Sequence, residues 1–431
     1  NEGLSAFNYL DYDYEAVRYD GGPGRFSGQG YVAMRGCWLK SPNPGVLIHE
    51  LGHNMGLWHA NAWSVTDPLV PVGAGSNAEY GDVFDTMGPA RGGASHFNAW
   101  EKHRLGWLAG SQLATASGSA VFTLQAHDLT AGGHANALRA IRIPRDADRD
   151  YWVEFRRHRG WIESHPDLHQ GVGIRWDPWL QSNGGTQLLD MTPGSPAGRD
   201  DASLAVGRTY SDVAAGIHIT PVAAGDTVEV VVQIGAFGDN RVPVVTARAG
   251  AATASPGQLV QFTASASDPD GDALSYTWSF DDGGPTLAGA SVTRAWSEEG
   301  DHRARVTVSD RKGGTASASV LVRVGDAEGS RIMGRVVDLA GNPVQDVLVD
   351  NGTESGADGY RTAWSDADGS FTLVGVPPGA WALRARKPGW IFAAESFLGS
   401  VATPSDAVEV TLLGCWTGFS ISGSVRRAEG S

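Results

Sequence analysis

Hydrophobic and polar positions follow two different periods along this chain, and the change falls near residue 108. Between Pro44 and Ala60 the apolar residues Val46, Leu47, Leu51 and Met55 recur at helical spacing behind an initial proline, which predicts a helix. A second helical run covers His96 to Leu105, and Gly30 to Met34 reads as a short strand. From residue 109 the pattern alternates or clusters. Ala120–Leu124, Ala140–Ile143, Tyr151–Phe155, Gly173–Trp176 and Val228–Ile234 read as strands, separated by Gly, Pro, Asp and Asn. The fold class this predicts is multidomain: an α/β unit first, then several all-β sandwich domains.

Length agrees, since 431 residues exceed what a single core usually serves. The expected units are 1–108, a β-sandwich at 109–238, further sandwiches at 241–326 and 330–414, and the start of another repeat at 415–431. The last rests on Ile421-Ser-Gly-Ser-Val425, which echoes Ile332-Met-Gly-Arg-Val336. A formal charge of −15 argues against a nucleic-acid partner, whose phosphates call for Lys and Arg. No apolar run approaches the roughly 20 residues of a membrane-spanning helix. Two cysteines, Cys37 and Cys415, exclude a dense disulfide framework and leave open pairing with each other, pairing outside the chain, or free thiols. The chain begins at Asn1 without a signal segment, and we expect a trimmed piece of a longer precursor.

Candidate chemistry is concentrated in His49-Glu50-Leu51-Gly52-His53-Asn54-Met55-Gly56-Leu57-Trp58-His59. Helical residues four apart share a face, so His49 and His53 can present their imidazoles to one ion. Gly56 permits a backbone conformation that other residues avoid, letting the chain turn back and deliver His59. Three imidazoles and an open position describe a catalytic zinc site rather than a closed structural one, and no cysteine lies nearby to suggest otherwise. Glu50 is the expected catalytic residue. It would take a proton from zinc-bound water during attack on a peptide carbonyl and pass it to the leaving nitrogen.

The extended histidine motif resembles the metzincin clan of zinc peptidases, which also carry a methionine-containing turn beneath the metal. Asp85-Thr86-Met87-Gly88 fits that turn, with Met87 as an apolar floor. Within the clan the surroundings are similar to the gametolysin family, related to the immune inhibitor A peptidases. The matching residues are His49 to Ala60, Glu79-Tyr-Gly-Asp82, Phe84 to Gly88, Phe97-Asn-Ala-Trp-Glu-Lys102, Leu105-Gly-Trp-Leu108 and Tyr151 to Arg156. The likeness spans about residues 25–235. It implies a secreted zinc endopeptidase acting on extracellular or cell-wall proteins. Two departures stand out: only 48 residues precede His49, and Pro89 occupies the place where some metzincins carry a tyrosine. Tyr80, before Met87, is expected to be structural.

Further along, Asp268-Pro-Asp-Gly-Asp272, Tyr276-Thr-Trp-Ser-Phe280 and Arg305 to Asp310 resemble a PKD domain, an immunoglobulin-like sandwich. Ile332 to Asp338, Gly341 to Val344, Asp366 to Leu373 and Val376-Pro-Pro-Gly379 resemble a carboxypeptidase-regulatory-like, transthyretin-type sandwich. Asp268, Asp270 and Asp272 offer oxygen ligands suited to structural Ca2+, although turn aspartates in water explain them as well. His96 and His103 are expected to be hydrogen-bonded structural residues. Trp152, Trp278 and Trp364 are expected in sandwich cores, and Trp176 and Trp179 at the surface.

Together these features predict a zinc endopeptidase, extracellular or attached to a cell surface, with protein or glycoprotein substrates. The sandwich modules would hold it near a matrix or cell-surface polymer. An alternative from another class is a surface adhesin, or a glycoprotein-binding protein, whose peptidase unit is vestigial or selective for glycoproteins. Loss of Glu50 or of a ligand would have pointed there, and none is lost.

Overall fold

The computed structural model describes residues 13–19, 27–67, 71–89, 96–129, 136–157, 171–177, 185–193, 198–282, 286–325, 331–353, 359–377, 379–387, 390–392, 398–401 and 407–416. The chain opens with a small sheet of β1 (Glu15–Arg18), β2 (Gly28–Gly30) and β3 (Gly36–Leu39), in the order β1-β3-β2. Tyr31 to Met34, read as a strand, is instead a turn between β2 and β3, with Ala33 at φ +57° and Met34 exposed. Against this sheet lies α1 (Pro44–Asn54), and the Asn54 amide donates to the carbonyls of Gly36 and Tyr31. The helix stops at Asn54 rather than Ala60, because Gly56 adopts φ +97° and the Leu57 N–H turns back to the Gly52 carbonyl at 2.9 Å.

After α1 come β4 (Asn61–Val65), β5 (Gly75–Ala78) and the short helix α2 (Ala99–Arg104). They are followed by β6 (Leu113–Thr115), β7 (Ala120–Gln125), β8 (Ala140–Pro144), β9 (Asp150–Glu154), β10 (Gly171–Asp177), β11 (Gln187–Leu189) and β12 (Leu204–Ala205). One sheet runs β5-β4-β11-β10-β9-β8-β6, with β12 paired to β10. Strand pairing therefore continues across residue 108. β4 pairs in parallel with β11, so the segment that follows the histidine motif shares a sheet with residues 113–205. A second sheet, in the order β13 (Tyr210–Asp212), β14 (Ile217–Ala224), β15 (Thr227–Ile234), β7, packs on the first. Ile141, Val153 and Ile174 from one sheet and Ile219, Val230 and Leu124 from the other form a common buried core.

Residues 244–324 form a second sandwich, with Phe262, Trp278, Phe280 and Trp296 in its core. In a third, Arg331–Asp338 lies between Ser370–Val374 (antiparallel) and Ala407–Trp416 (parallel), with Ile332, Val336, Phe371 and Leu412 buried. Gly414 to Trp416 thus belong to that sandwich, and Ile421 to Val425 lie outside the described residues. Ionic contacts tie the units together. Arg208 reaches Asp346 at 2.6 Å, and Arg305 reaches Asp346 at 2.9 Å and Asp366 at 3.0 Å. The two guanidinium groups hold the Asp346 carboxyl well below its usual range against the opposing effect of burial.

The tryptophans sort differently from the expectation in two places. Trp152 and Trp278 are buried as read, but Trp364 is 42% exposed at a sheet face. Trp176 is buried, its indole N–H donating to Gln187 at 2.6 Å, because both faces of β10 are covered. Trp179 lies outside the described residues. Cys37 is a buried free thiol.

Candidate metal centre

The site begins with α1. The Asn43 side chain accepts from the Gly45 N–H at 2.8 Å and Pro44 takes the first helical position, so the helix start is fixed by its cap. His49 and His53 then lie one turn apart on the buried face. After Gly56 the chain reverses, and His59 arrives just before β4. The candidate ligand atoms of His49, His53 and His59 lie within 4.8 Å of one another. Their ring centroids are separated by 4.9, 5.4 and 4.9 Å.

Each imidazole is held by its Nδ1. His49 Nδ1 lies 2.8 Å from the Thr86 carbonyl oxygen, and His53 Nδ1 lies 2.8 Å from that of Leu57. A carbonyl can only accept, so Nδ1 carries the proton and Nε2 keeps a free lone pair. His59 Nδ1 faces the Glu79 carboxylate at 2.7 Å, which selects the same tautomer. All three rings therefore turn their lone pairs inward. Burial pushes the His49 imidazolium down to about 4, and its histidine neighbours push the same way against the Thr86 carbonyl. Burial also lowers His53 and His59, outweighing the Leu57 carbonyl and Glu79. Neutral imidazoles are what a divalent ion requires.

Met87 is fully buried below the helix. A Cβ at Gly52 would fall 2.4 Å from the Met87 sulfur, so no side chain fits between His49 and His53 on this face. The Asp85 carboxylate accepts from the Met87 N–H at 2.7 Å and shapes the turn, while Met87, Leu57, Ala60 and Phe97 form one apolar cluster. The same turn supplies the Thr86 carbonyl to His49.

Glu50 is 6% exposed, and its carboxylate lies against β2. A Cβ at Gly28 would come within 2.5 Å of Glu50 Oε1, and one at Gly30 within 2.5 Å of the Glu50 carbonyl oxygen. These glycines let the strand approach the carboxylate, and the Gly30 N–H bonds to it. Burial raises the Glu50 carboxyl to about 7 against that hydrogen bond.

Sequence reasoning missed Glu79 as the residue that orients His59, and Gly28 and Gly30 as the bed of Glu50. Tyr80, expected only to support the fold, lies against His59 with centroids 3.8 Å apart and the rings tilted by 36°, and is 42% exposed. It holds a left-handed backbone (φ +58°), uncommon for a non-glycine residue and most frequent where function over-determines the backbone. The Glu50 charge is among the causes that raise its phenol, which puts Tyr80 and Glu50 within electrostatic reach of each other. Glu79-Tyr80 was visible in the sequence, but nothing in its spacing tied it to His59. His103 donates from Nδ1 to the Leu108 carbonyl at 3.0 Å. His96 is held down to about 3 by burial and neighbouring cations, Lys102 first.

Residues 240–324 are a PKD domain, and residues 331–412 are a carboxypeptidase regulatory-like domain. Neither match reaches the histidine site. Among solved structures, the PKD1 domain of the Vibrio cholerae metalloprotease PrtV is 27% identical, covering 20% of this chain and 98% of that one, with a TM-score of 0.17. The PKD1 domain of Vibrio anguillarum Epp is 24% identical over 20% of this chain and 96% of that one, with a TM-score of 0.18. A structure of carbohydrate-binding modules from the β-sandwich superfamily is 13% identical, covering 32% and 86%, with a TM-score of 0.20. Among the described residues, no helix is long and apolar enough to cross a membrane.

Proposed function

We propose that the N-terminal unit is a zinc-dependent endopeptidase of the metzincin type, secreted to cleave extracellular or cell-wall proteins. The observation that carries this reading is the convergence of three neutral imidazoles beside the buried carboxylate of Glu50. The donors fit zinc: three nitrogens at one locus, each with its other nitrogen engaged, and no fourth His, Cys, Asp or Glu in the cluster among the described residues. When bound, zinc supplies an acidified water and a Lewis acid for the peptide carbonyl.

The residues of the chain then have separate tasks. Glu50 takes a proton at its carboxylate and returns it to the departing nitrogen, and a group buried enough to sit near neutrality is suited to both steps. A cation held by the histidines would draw Glu50 back toward the charged, accepting form. The Gly30 N–H fixes the carboxylate's direction. Tyr80, exposed beside His59, offers a phenol hydroxyl where a substrate carbonyl would enter. The PKD and regulatory-like domains would raise local concentration by holding the unit on a polymer or surface.

Metal analysis with casein hydrolysis, on the intact chain and on Glu50→Ala, tests the proposal. We expect zinc retained at one ion per chain and hydrolysis reduced by at least about 100-fold. Equal activity in both proteins, or no zinc in either, overturns it.

A further inference from the structure

Behind the Met87 turn lies a buried layer of charge on four segments. Asp82 and Asp85 come from the turn, Glu101 and Lys102 from α2, Glu154 and Arg156 from β9 and its end, and Arg175 from β10. Most of these are paired. Arg175 reaches Asp82 at 2.5 Å and Glu154 at 2.6 Å, and Arg156 reaches Glu154 at 2.8 Å. Lys102 donates to the His127 carbonyl at 2.7 Å. Glu101 is the exception. It is 0% exposed, and neither of its carboxyl oxygens receives a donor. What it faces, at hydrogen-bonding range, is the carboxylate of Asp85.

Two carboxylates in contact in a protein interior cannot both be ionised. Asp85 accepts the Met87 N–H at 2.7 Å and the Asn98 N–H at 2.6 Å, so its charge is stabilised. Glu101 has no such support. The surrounding charge points the same way. Among the described residues five buried carboxyl groups, Asp82, Asp85, Glu101, Glu154 and Asp128, face three buried cations, Lys102, Arg156 and Arg175, so carboxyls are in excess. His96 and His127 beside them are kept neutral by burial.

We propose that Glu101 is a neutral carboxylic acid whose hydroxyl donates to Asp85 and so locks the Met87 turn under the three histidines. Glu101 is then a positioning residue, two links from the ligands: Asp85 holds the Met87 N–H, and the same turn presents the Thr86 carbonyl to His49. Nothing in the inference requires the peptidase reading to be right, because it concerns a proton and not turnover. The folded chain binds one proton more than the unfolded chain above the ordinary glutamate value of 4.5. Stability is therefore lost as pH rises from 4.5 toward the raised folded value, and is level beyond it.

Urea unfolding of the full metal-free chain across pH, for wild type, Glu101→Gln and Glu101→Ala, tests this. Glutamine is a neutral donor of nearly the same shape, so Glu101→Gln is expected to fold like the wild type. Relative to it, the wild type should lose about tenfold in folding equilibrium per pH unit within the window, the slope of one proton. Glu101→Ala should be less stable than Glu101→Gln throughout. An infrared spectrum of the wild type at neutral pH should show a protonated-carboxyl stretch that Glu101→Gln lacks. A Glu101→Gln chain that does not fold, parallel pH profiles for wild type and Gln, or the absence of that stretch would each overturn the proposal.

Discussion

Two triplets of ligand-type side chains, His49/His53/His59 and Asp268/Asp270/Asp272, have donor atoms within 4.8 Å of one another, yet they are built differently. In the histidine triplet every bond to the protein is made by the outer nitrogen, and the inner lone pairs are left over. In the aspartate triplet four oxygens serve the turn or its basic neighbours, while Asp268 Oδ2 and Asp272 Oδ2 are buried without a hydrogen-bond partner. Asp268 accepts the N–H groups of Asp270 and Asp272 at 2.8 and 3.1 Å, Asp270 accepts from Arg241, and Asp272 is paired with Lys312. An incoming cation would have to compete with Arg241 and Lys312. Proximity of donors is shared, and so is some spare donor capacity; a locus free of competing cations, with each donor oriented by an outer partner, belongs to the histidines alone of the two triplets. The turn and its two basic neighbours account for all but two of the six carboxyl oxygens.

Zinc removal should separate the triplets most. At free zinc about 1,000-fold above its dissociation constant, the metal adds about 4 kcal/mol to whatever it binds. Chelation should lower the melting of the front unit by that order while residues 240–416 melt unchanged, as read by calorimetry. In the metal-free chain the three histidines contribute a pH slope opposite to that of the raised carboxyls Glu50 and Glu101. Depressed in the folded state by burial, His49 to about 4, they make the unfolded chain bind more protons below the ordinary 6.5, so their share of the stability falls as pH drops through that window. Two transitions that respond together to chelation would break the comparison.

The outer ring is the next lever. Replacing Glu79 by Ala frees His59 and should weaken zinc binding by about 10- to 100-fold in a competition with a coloured chelator. Unchanged affinity would mean that burial alone orients His59. The smallest effect is expected at the aspartates: added calcium should leave the melting of residues 240–416 where it is. A clear upward shift there would show that calcium displaces Arg241 and Lys312 and recruits the two unpartnered oxygens.

Legibility from sequence followed the locality of each interaction. The helix, its reversal at Gly56 and the convergence of the three histidines were readable because they depend on residues within eleven positions of each other. The strands that carry Trp278 and Phe371 were readable for the same reason: alternation is a local pattern. Glu79, 20 residues past His59, carries no mark of its partner until β4 and β5 pair and bring it back. Tyr80 was taken for a fold residue since only its left-handed backbone, invisible in sequence, turns the ring onto His59. Trp176 and Trp364 exchanged the places expected of them, because a strand pattern cannot say which of its faces another sheet will cover.

What the sequence determined by itself was the inner chemistry, namely three imidazoles at helix-and-return spacing with a carboxylate next to the first, together with the sandwich units behind them. Only the tertiary structure decided the outer chemistry: which carbonyl or carboxylate holds each ring, which glycines make room for Glu50, and which buried acid faces Asp85. The physical reason is that ligand spacing is set by the geometry of one helix and one turn. Tautomer, protonation and burial are set by groups that meet only after distant strands have paired.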